Sequence, residues 1–496
     1  MNLSEYIKFD GTDLAKLIKN KEVSKQELVE ISFSQLDIAN RQINAVTHKR
    51  KESVLKEIKG KDKNRPFEGV PIFLKGLSQK IQGELDIGGA RLLKEQRASV
   101  TSNFVKSLHS AGFLSLGYST TPEFGIKNIT EPKLYGPTCN PWNPEYSPGG
   151  SSGGAAALVA SGVVPIAGAS DGGGSIRIPA SFCSLFGLKP TRGRIPIGPG
   201  VGRQSQGAAI SFVLTRTVRD AARLLTSMQI VQQEAAFQIP LFQERFEDAM
   251  KRKFQRKMKI GFTTNSPVGT PVSDDAKQAV GKVVTWLEEQ GHEVEEVDNT
   301  IDGIQLMRDY YLMNSVGIAT LIQQLEKMID RKIHADDVEI ETWLLNLAGK
   351  NVSAVGFSKS LASWDKAAAK MAELHQTYDF YVTPTTGYHA PEIGELTHSE
   401  EKEATLRDQI ETTYSTKQQE LIYEMFLPSL AYTPFTQLAN LTGQPAVSVP
   451  VHLTKDGLPL GVHIMAPKGE ESKLLQLAYQ LEQTELWIGM KGNPYF

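Results

Sequence analysis

The hydrophobic and polar positions of this chain repeat with two different periods. Over the first 60 residues the apolar positions recur at helical spacing, and "SKQELVE" supplies a start signal: Ser24 with Glu27 three residues on, a capping box ahead of an apolar run. "GVPIFLKG" (69–76) is instead apolar on both faces until it is ended by Lys75 and Gly76, which predicts a short buried strand. "TSNFVKSLHSAGFLSLG" predicts a helix that stops at Gly112 and a strand from Phe113 to Leu116. "KIGFTT", "DDAKQAVGKVVTWLEEQG" and "HEVEEV" repeat the grammar as strand, helix, strand. "PAVSVPVHL" and "PLGVHIMA" flank Asp456-Gly457, a hairpin turn signal. Alternation of this kind predicts an α/β protein with a substantially parallel or mixed sheet.

Nothing in the pattern marks an internal repeat, a low-complexity tract or a linker. We therefore expect a single domain over 1–496, with a helical region at 1–60, a core at 61–200 and the rest of the sheet and helices at 201–496. A net charge of −2 gives no global attraction to nucleic acid or an anionic membrane. Two cysteines, Cys139 and Cys183, are too few for a disulfide framework or a cysteine-rich metal site. The first residues carry charges throughout and lack the apolar core of a secretory signal, so the expected compartment is the cytoplasm. "KRKFQRKMK" (251–259) reads as the solvated face of a helix, and "HAPEIGEL" (389–396) as a loop without metal-ligand spacing.

Glycine changes the picture. Of the 42 glycines, 13 fall between Gly149 and Gly200, and from Tyr146 to Ile176 the only charged residue is Asp171. Such a stretch is either a flexible linker or tightly packed backbone. "AAALVA" is good helix and "VVPIA" is strand-like, so the second reading holds.

Within it, "SDGGGSIRIPASF" (170–182) orders three glycines in a row, the residue type that loses most freedom on folding. A phosphate cradle would need a P-loop or G-x-G-x-x-G pattern, and neither is present. "GGSSG" (149–153) matches a nucleophile elbow, but that motif needs a strand before its serine, and "NPWNPEYSP" with three prolines cannot make a central one. The third reading is an oxyanion hole: backbone N–H groups around Ser175, with no side chains to block a carbonyl. A base is then required. The nine histidines form no cluster in the sequence. A buried lysine can serve, because desolvation lowers its pKa from about 10.4 towards neutrality. Lys75 ends the apolar strand, although spacing alone does not separate it from an ordinary surface amine.

The stretch 148–196, "PGGSSGGAAALVASGVVPIAGASDGGGSIRIPASFCSLFGLKPTRGRIP", closely resembles the core of the amidase signature family of serine amidohydrolases. The likeness extends to "FEGVPIFLKG", "GPTCNPWNP" and "GQPAVSVPVHLTKDGLPLGVHIMAP". It implies the family's α/β fold, a mixed, twisted central sheet covered by helices on both faces, and a Ser–cis-Ser–Lys triad, with Ser175 as nucleophile, Ser151 as bridge and Lys75 as base. It also implies oxyanion N–H groups on Gly172, Gly173, Gly174 and Ser175. Asp171 and Arg177 are expected to form an ion pair bracketing the loop, the alternative being an ordinary surface pair. Gly172 stands where relatives usually carry threonine or another small residue. Cys139 stands where arginine is common, and has no role assigned.

"GLKPTRGRIPIGPG", "PEIGEL" and "PFTQLANLTGQPAVSVP" are most similar to general amidases near 6-aminohexanoate-cyclic-dimer hydrolase. The alternatives are the glutaminase subunit of a tRNA-dependent amidotransferase and a family member kept as a binding module. The first is expected to show an acidic residue near Thr433, which "LAYTPFT" lacks; the second is disfavoured because all three triad positions are filled. The expected partner is a small-molecule amide, without nucleic acid, membrane, cofactor or metal, and with a homodimer as the allowed assembly. Expected pocket walls are "EFGIKNIT" (123–130) and "AYTPFTQL" (431–438), where Glu123 and Lys127 are the only ionisable groups, or else the poorly readable segment 300–380.

Overall fold

The structure, a computed structural model, describes residues 1–58 and 64–496. The boundary expected at residue 60 lies outside the described residues.

Among the described residues eleven strands form one mixed sheet: β1 (Val46–Lys49), β2 (Pro71–Lys75), β3 (Leu114–Ser119), β4 (Ile166–Asp171), β5 (Phe186–Lys189), β6 (Ile210–Thr215), β7 (Lys259–Phe262), β8 (Glu293–Glu296), β9 (Phe380–Pro384), β10 (Ala446–Leu453) and β11 (Pro459–Met465). Their order is β1-β3-β2-β4-β6-β5-β10-β11-β9-β7-β8. β2 runs parallel to both β3 and β4, and β7 is parallel to β8 and β9; every other pairing is antiparallel. With seventeen α-helices among the described residues, the architecture is α/β.

The local signals act where they were read. Ser24 caps the Lys25–Ile43 helix in a capping box with Glu27. The Asn103–Ala111 helix ends at Gly112, whose φ of 111° is the left-handed value that glycine adopts without steric penalty. β10 and β11 pair in antiparallel register across the Asp456-Gly457 turn. Two readings are corrected. The first region is not wholly helical, because β1 interrupts it and pairs with β3. Residues 251–258 form no helix but irregular chain leading into β7. A helix would stack those like charges at i, i+3 and i+4; the irregular chain lets Arg252 reach Glu244 and Arg256 reach Asp379.

β2 and β4 position the site. Every residue of both strands is buried, so their central hydrogen bonding is shielded from water and their adjacent carboxyl ends are held firmly. The glycine-rich Gly153–Ala160 helix, buried along its whole length, packs against both.

Candidate active site

Four apolar residues carry Lys75 inward. Pro71, Ile72, Phe73 and Leu74 fill β2, and Lys75 at its end is 0% exposed. Its Nζ lies 2.7 Å from Ser151 Oγ and 3.0 Å from Ser170 Oγ. Gln79 braces the strand end, accepting from the Lys75 N–H (2.9 Å) and donating to the Ala169 carbonyl of β4 (2.9 Å). Burial pushes the Lys75 amine down to about 7, with Asp171 opposing the shift. A lysine in this setting is an available base near neutral pH.

Ser151 follows a cis Gly150–Ser151 peptide and is 2% exposed. Thr130 holds this turn, donating to the Gly149 carbonyl (2.8 Å) and accepting from the Gly153 N–H (3.2 Å).

The glycine loop starts at the last residue of β4. Asp171 and Arg177 are each 0% exposed and make a two-pronged pair, with Nη2 donating to Oδ1 (2.9 Å) and Nε to Oδ2 (3.0 Å). Burial would raise the Asp171 carboxyl, but the Arg177 guanidinium holds it well below the usual carboxylate range. Arg177 also donates to the Thr436 carbonyl (2.7 Å) and Asn440 Oδ1 (2.7 Å), and its Nη1 meets His463 Nε2 at 2.9 Å. The expected bracket is present and larger than expected.

One expected oxyanion donor is corrected. The Gly174 N–H donates to Asp171 Oδ1 (2.7 Å), closing a side-chain turn, so it does not face a substrate. The N–H groups of Gly172, Gly173 and Ser175, and the Ser175 hydroxyl, have no protein partner among the described residues. Those three residues are also the half-exposed part of the loop, whereas Asp171, Gly174 and Ile176 are buried. The loop's carbonyls are taken: Tyr310 OH donates to Gly172 O (3.3 Å) and Thr436 Oγ1 to Gly173 O (2.7 Å). Because a trans peptide sets N–H opposite C=O, the bond from Tyr310 turns the Gly173 N–H the other way. Gly174 has φ of 129°, and a Cβ there would come within 2.2 Å of Thr436 Oγ1. Only glycine fits.

The structure thus joins Lys75 to Ser151, with Ser170 added, and leaves the Ser175 hydroxyl unbonded at the open side. A buried amine, two serine hydroxyls and unpaired N–H groups thus gather at the ends of β2 and β4. The family model named Amidase matches residues 27–475.

The chain belongs to the amidase family.

This amidase is an enzyme of the amidohydrolase class, acting on carbon–nitrogen bonds other than peptide bonds. It is 40% identical over 485 residues to a lipoamidase of Enterococcus faecalis, covering 97% of this chain and 64% of that longer protein. It is 34% identical over 490 residues to the 6-aminohexanoate-cyclic-dimer hydrolase of Paenarthrobacter ureafaciens, covering 97% and 96% of the two chains. A solved structure of 6-aminohexanoate cyclic dimer hydrolase superposes with a TM-score of 0.86 at 33% identity, covering 97% of each chain.

Neither ionisable group of the expected wall 123–130 faces the loop. Lys127 Nζ pairs with Glu341 Oε1 at 3.0 Å, and Glu123 Oε1 accepts from the Glu339 N–H (2.7 Å), all four residues being buried. From 431–438 come Thr436 and Gln437 beside the glycines, while the segment 300–380 supplies Tyr310 on the Gly303–Ile329 helix. Residues of 431–438 and of 300–380 thus touch the glycine loop. Ser170, Gln79, Tyr310, Thr436, Asn440 and His463 were not singled out by sequence. Ser170 and Gln79 lie within a few residues of Asp171 and Lys75; Thr436, Asn440 and His463 lie in stretches that carry the family likeness but that assigned them no role, and Tyr310 lies in the segment 300–380. Among the described residues no group of three His, Cys, Asp or Glu is placed to hold a metal ion, and no helix is long and apolar enough to cross a membrane.

Proposed function

We propose that this amidase hydrolyses neutral carboxylic amides, linear or cyclic, through an acyl-enzyme on Ser175, with Ser151 as relay and Lys75 as base. The observation that carries the reading is a fully buried amine 2.7 Å from a buried serine hydroxyl, with no carboxylate in contact to keep it charged. Ser175 Oγ attacks the amide carbon, its proton passes to Ser151, and the Ser151 proton passes to Lys75 Nζ. The oxygen that becomes negative sits against the N–H groups of Gly172, Gly173 and Ser175. The C–N bond then breaks, and the amine leaves with the proton returned from Lys75 through Ser151. Water adds to the acyl carbon by the same relay, releasing the carboxylic acid and restoring Ser175.

The preference for neutral substrates follows from what surrounds the loop. Tyr310, Thr436 and Gln437 are uncharged, Asp171 is neutralised by Arg177, and Lys127 is neutralised by Glu341. Thr433 is buried and accepts from Asn128 Nδ2 (2.9 Å), so it offers no anion to an α-ammonium. Glutamine would bring two charges against Tyr310, Thr436 and Gln437, none of which carries a partner charge. The test compares kcat/KM for a neutral aliphatic or aryl amide with that for glutamine, and the neutral amide is expected to win by at least tenfold, about 1.4 kcal/mol. Better turnover of glutamine, above all only with partner subunits added, would establish the amidotransferase reading instead.

A further inference from the structure

A cavity of about 280 Å3 opens beside the oxyanion loop and shares Gln437 with it. It lies where the parallel strands β7 and β9 end, lined by Thr263 just after β7 and by Thr383 of β9. Crevices at the carboxyl ends of parallel strands are where open α/β sheets bind ligands. Its apolar wall comes from Leu306 and Met307 of the Gly303–Ile329 helix together with Phe435 and Leu438.

The polar groups on this cavity favour a hydrogen-bond donor with positive charge. Asp298 stands exposed at the rim; its Oδ1 accepts from Thr263 Oγ1 (2.9 Å), and its other oxygen has no partner among the described residues. Among the described residues no lysine or arginine lines the cavity. Lys370 reaches the rim but donates to the Thr300 carbonyl (2.7 Å). The helix N-terminus at Gly303 is capped by Asp302, whose carboxylate accepts from the Gln305 N–H (2.9 Å) and so meets that end's partial positive charge. Gln437, 7% exposed, donates through Nε2 to the Thr433 carbonyl (2.9 Å), which fixes the orientation of its amide; its Oε1 is buried without a donor. A buried acceptor left unpaired is unfavourable.

We propose that this cavity binds a small aliphatic ammonium, its charged end on Asp298 and its alkyl chain over Leu306, Met307, Phe435 and Leu438. This is the chemical class that amide hydrolysis releases, but the proposal stands apart from the catalytic reading because binding is measured directly. The site also touches both supports of the oxyanion loop. Gln437 adjoins Thr436, and Met307 lies one helical turn from Tyr310.

Calorimetric titration of the full chain with hexylammonium, hexanol and hexanoate, at one ionic strength near neutral pH, tests it. Hexylammonium is expected to bind about tenfold or more tightly than hexanol, with hexanoate weakest. Asp298→Asn is expected to reduce hexylammonium to the affinity of hexanol and leave hexanol unchanged. The wild-type ranking does not depend on how the variant folds. Equal affinity for the cation and the alcohol, tighter binding of hexanoate, no binding of any of the three, or undiminished hexylammonium binding by folded Asp298→Asn would each overturn the proposal.

Discussion

Lys75 and Lys127 are both carried into the interior, at 0% and 8% exposure, and they end in opposite states. Loss of hydration alone lowers the pKa of either amine. At Lys127 that effect is overcome by Glu341 at 3.0 Å, with Glu339 and Glu131 adding to it, so the amine is held above its ordinary value. Lys75 meets only the hydroxyls of Ser151 and Ser170; the carboxylate that acts on it, Asp171, is already bound two-pronged to Arg177, and burial wins. The acids mirror this. Asp171 stays ionised beside its guanidinium, whereas burial, reinforced by neighbouring Glu339, pushes Glu123 up to about 7. Burial supplies the same pressure in both regions, and the partner decides its outcome. The lysine held by a carboxylate keeps its proton; the one held by hydroxyls gives it up more readily.

Breaking the reactive side gives the largest effect. Ser175→Ala is expected to lower kcat/KM roughly 10⁴-fold or more with an unchanged fold, because only substrate binding and the N–H donors remain; steady-state kinetics alongside circular dichroism check it. Breaking the structural side shows in stability instead. Glu341→Gln leaves a buried ammonium without its closest partner and is expected to remove about 3–5 kcal/mol in urea denaturation, with kcat/KM of the folded fraction within about tenfold of wild type. Replacing the pair by Lys127→Met with Glu341→Leu is expected to restore most of that loss.

The smallest change makes Lys75 resemble Lys127. Ser170→Asp places a carboxylate beside an amine that now lies 3.0 Å from Ser170 Oγ. An opposite charge at that range raises a lysine pKa by roughly 1–3 units. The rise of kcat/KM with pH is therefore expected to move at least one unit upward, and a profile that stays in place would show that Asp171 or solvent, rather than the immediate partner, sets the proton affinity.

The sequence made these two lysines unequally visible. Lys75 stood out because an all-apolar strand ends on it and a long motif follows. Lys127 sits in "EFGIKNIT" as a wall residue, since Glu341, its partner, lies more than two hundred positions away on the Ile340–Lys350 helix. The Asp171–Arg177 pair was legible because its members are six residues apart. The turn that takes the Gly174 N–H was not read, although Asp171 three residues earlier was its signal. Tyr310, Thr436, Asn440 and His463 support the loop only through the sheet order and helix packing, which no local period encodes. β1 was missed because four partly exposed residues carry too little alternation to be told from helix.

The most direct test of a neutral Lys75 acting through Ser151 on Ser175 is the pH dependence of fluorophosphonate inactivation, with the adduct located by mass spectrometry. Lys75 accepts a proton only when uncharged, and its uncharged fraction grows as pH rises through about 7. The inactivation rate should therefore climb with pH, level off on the alkaline side, and leave the label on Ser175. A rate indifferent to pH across that range, or a label on another residue, would contradict the account.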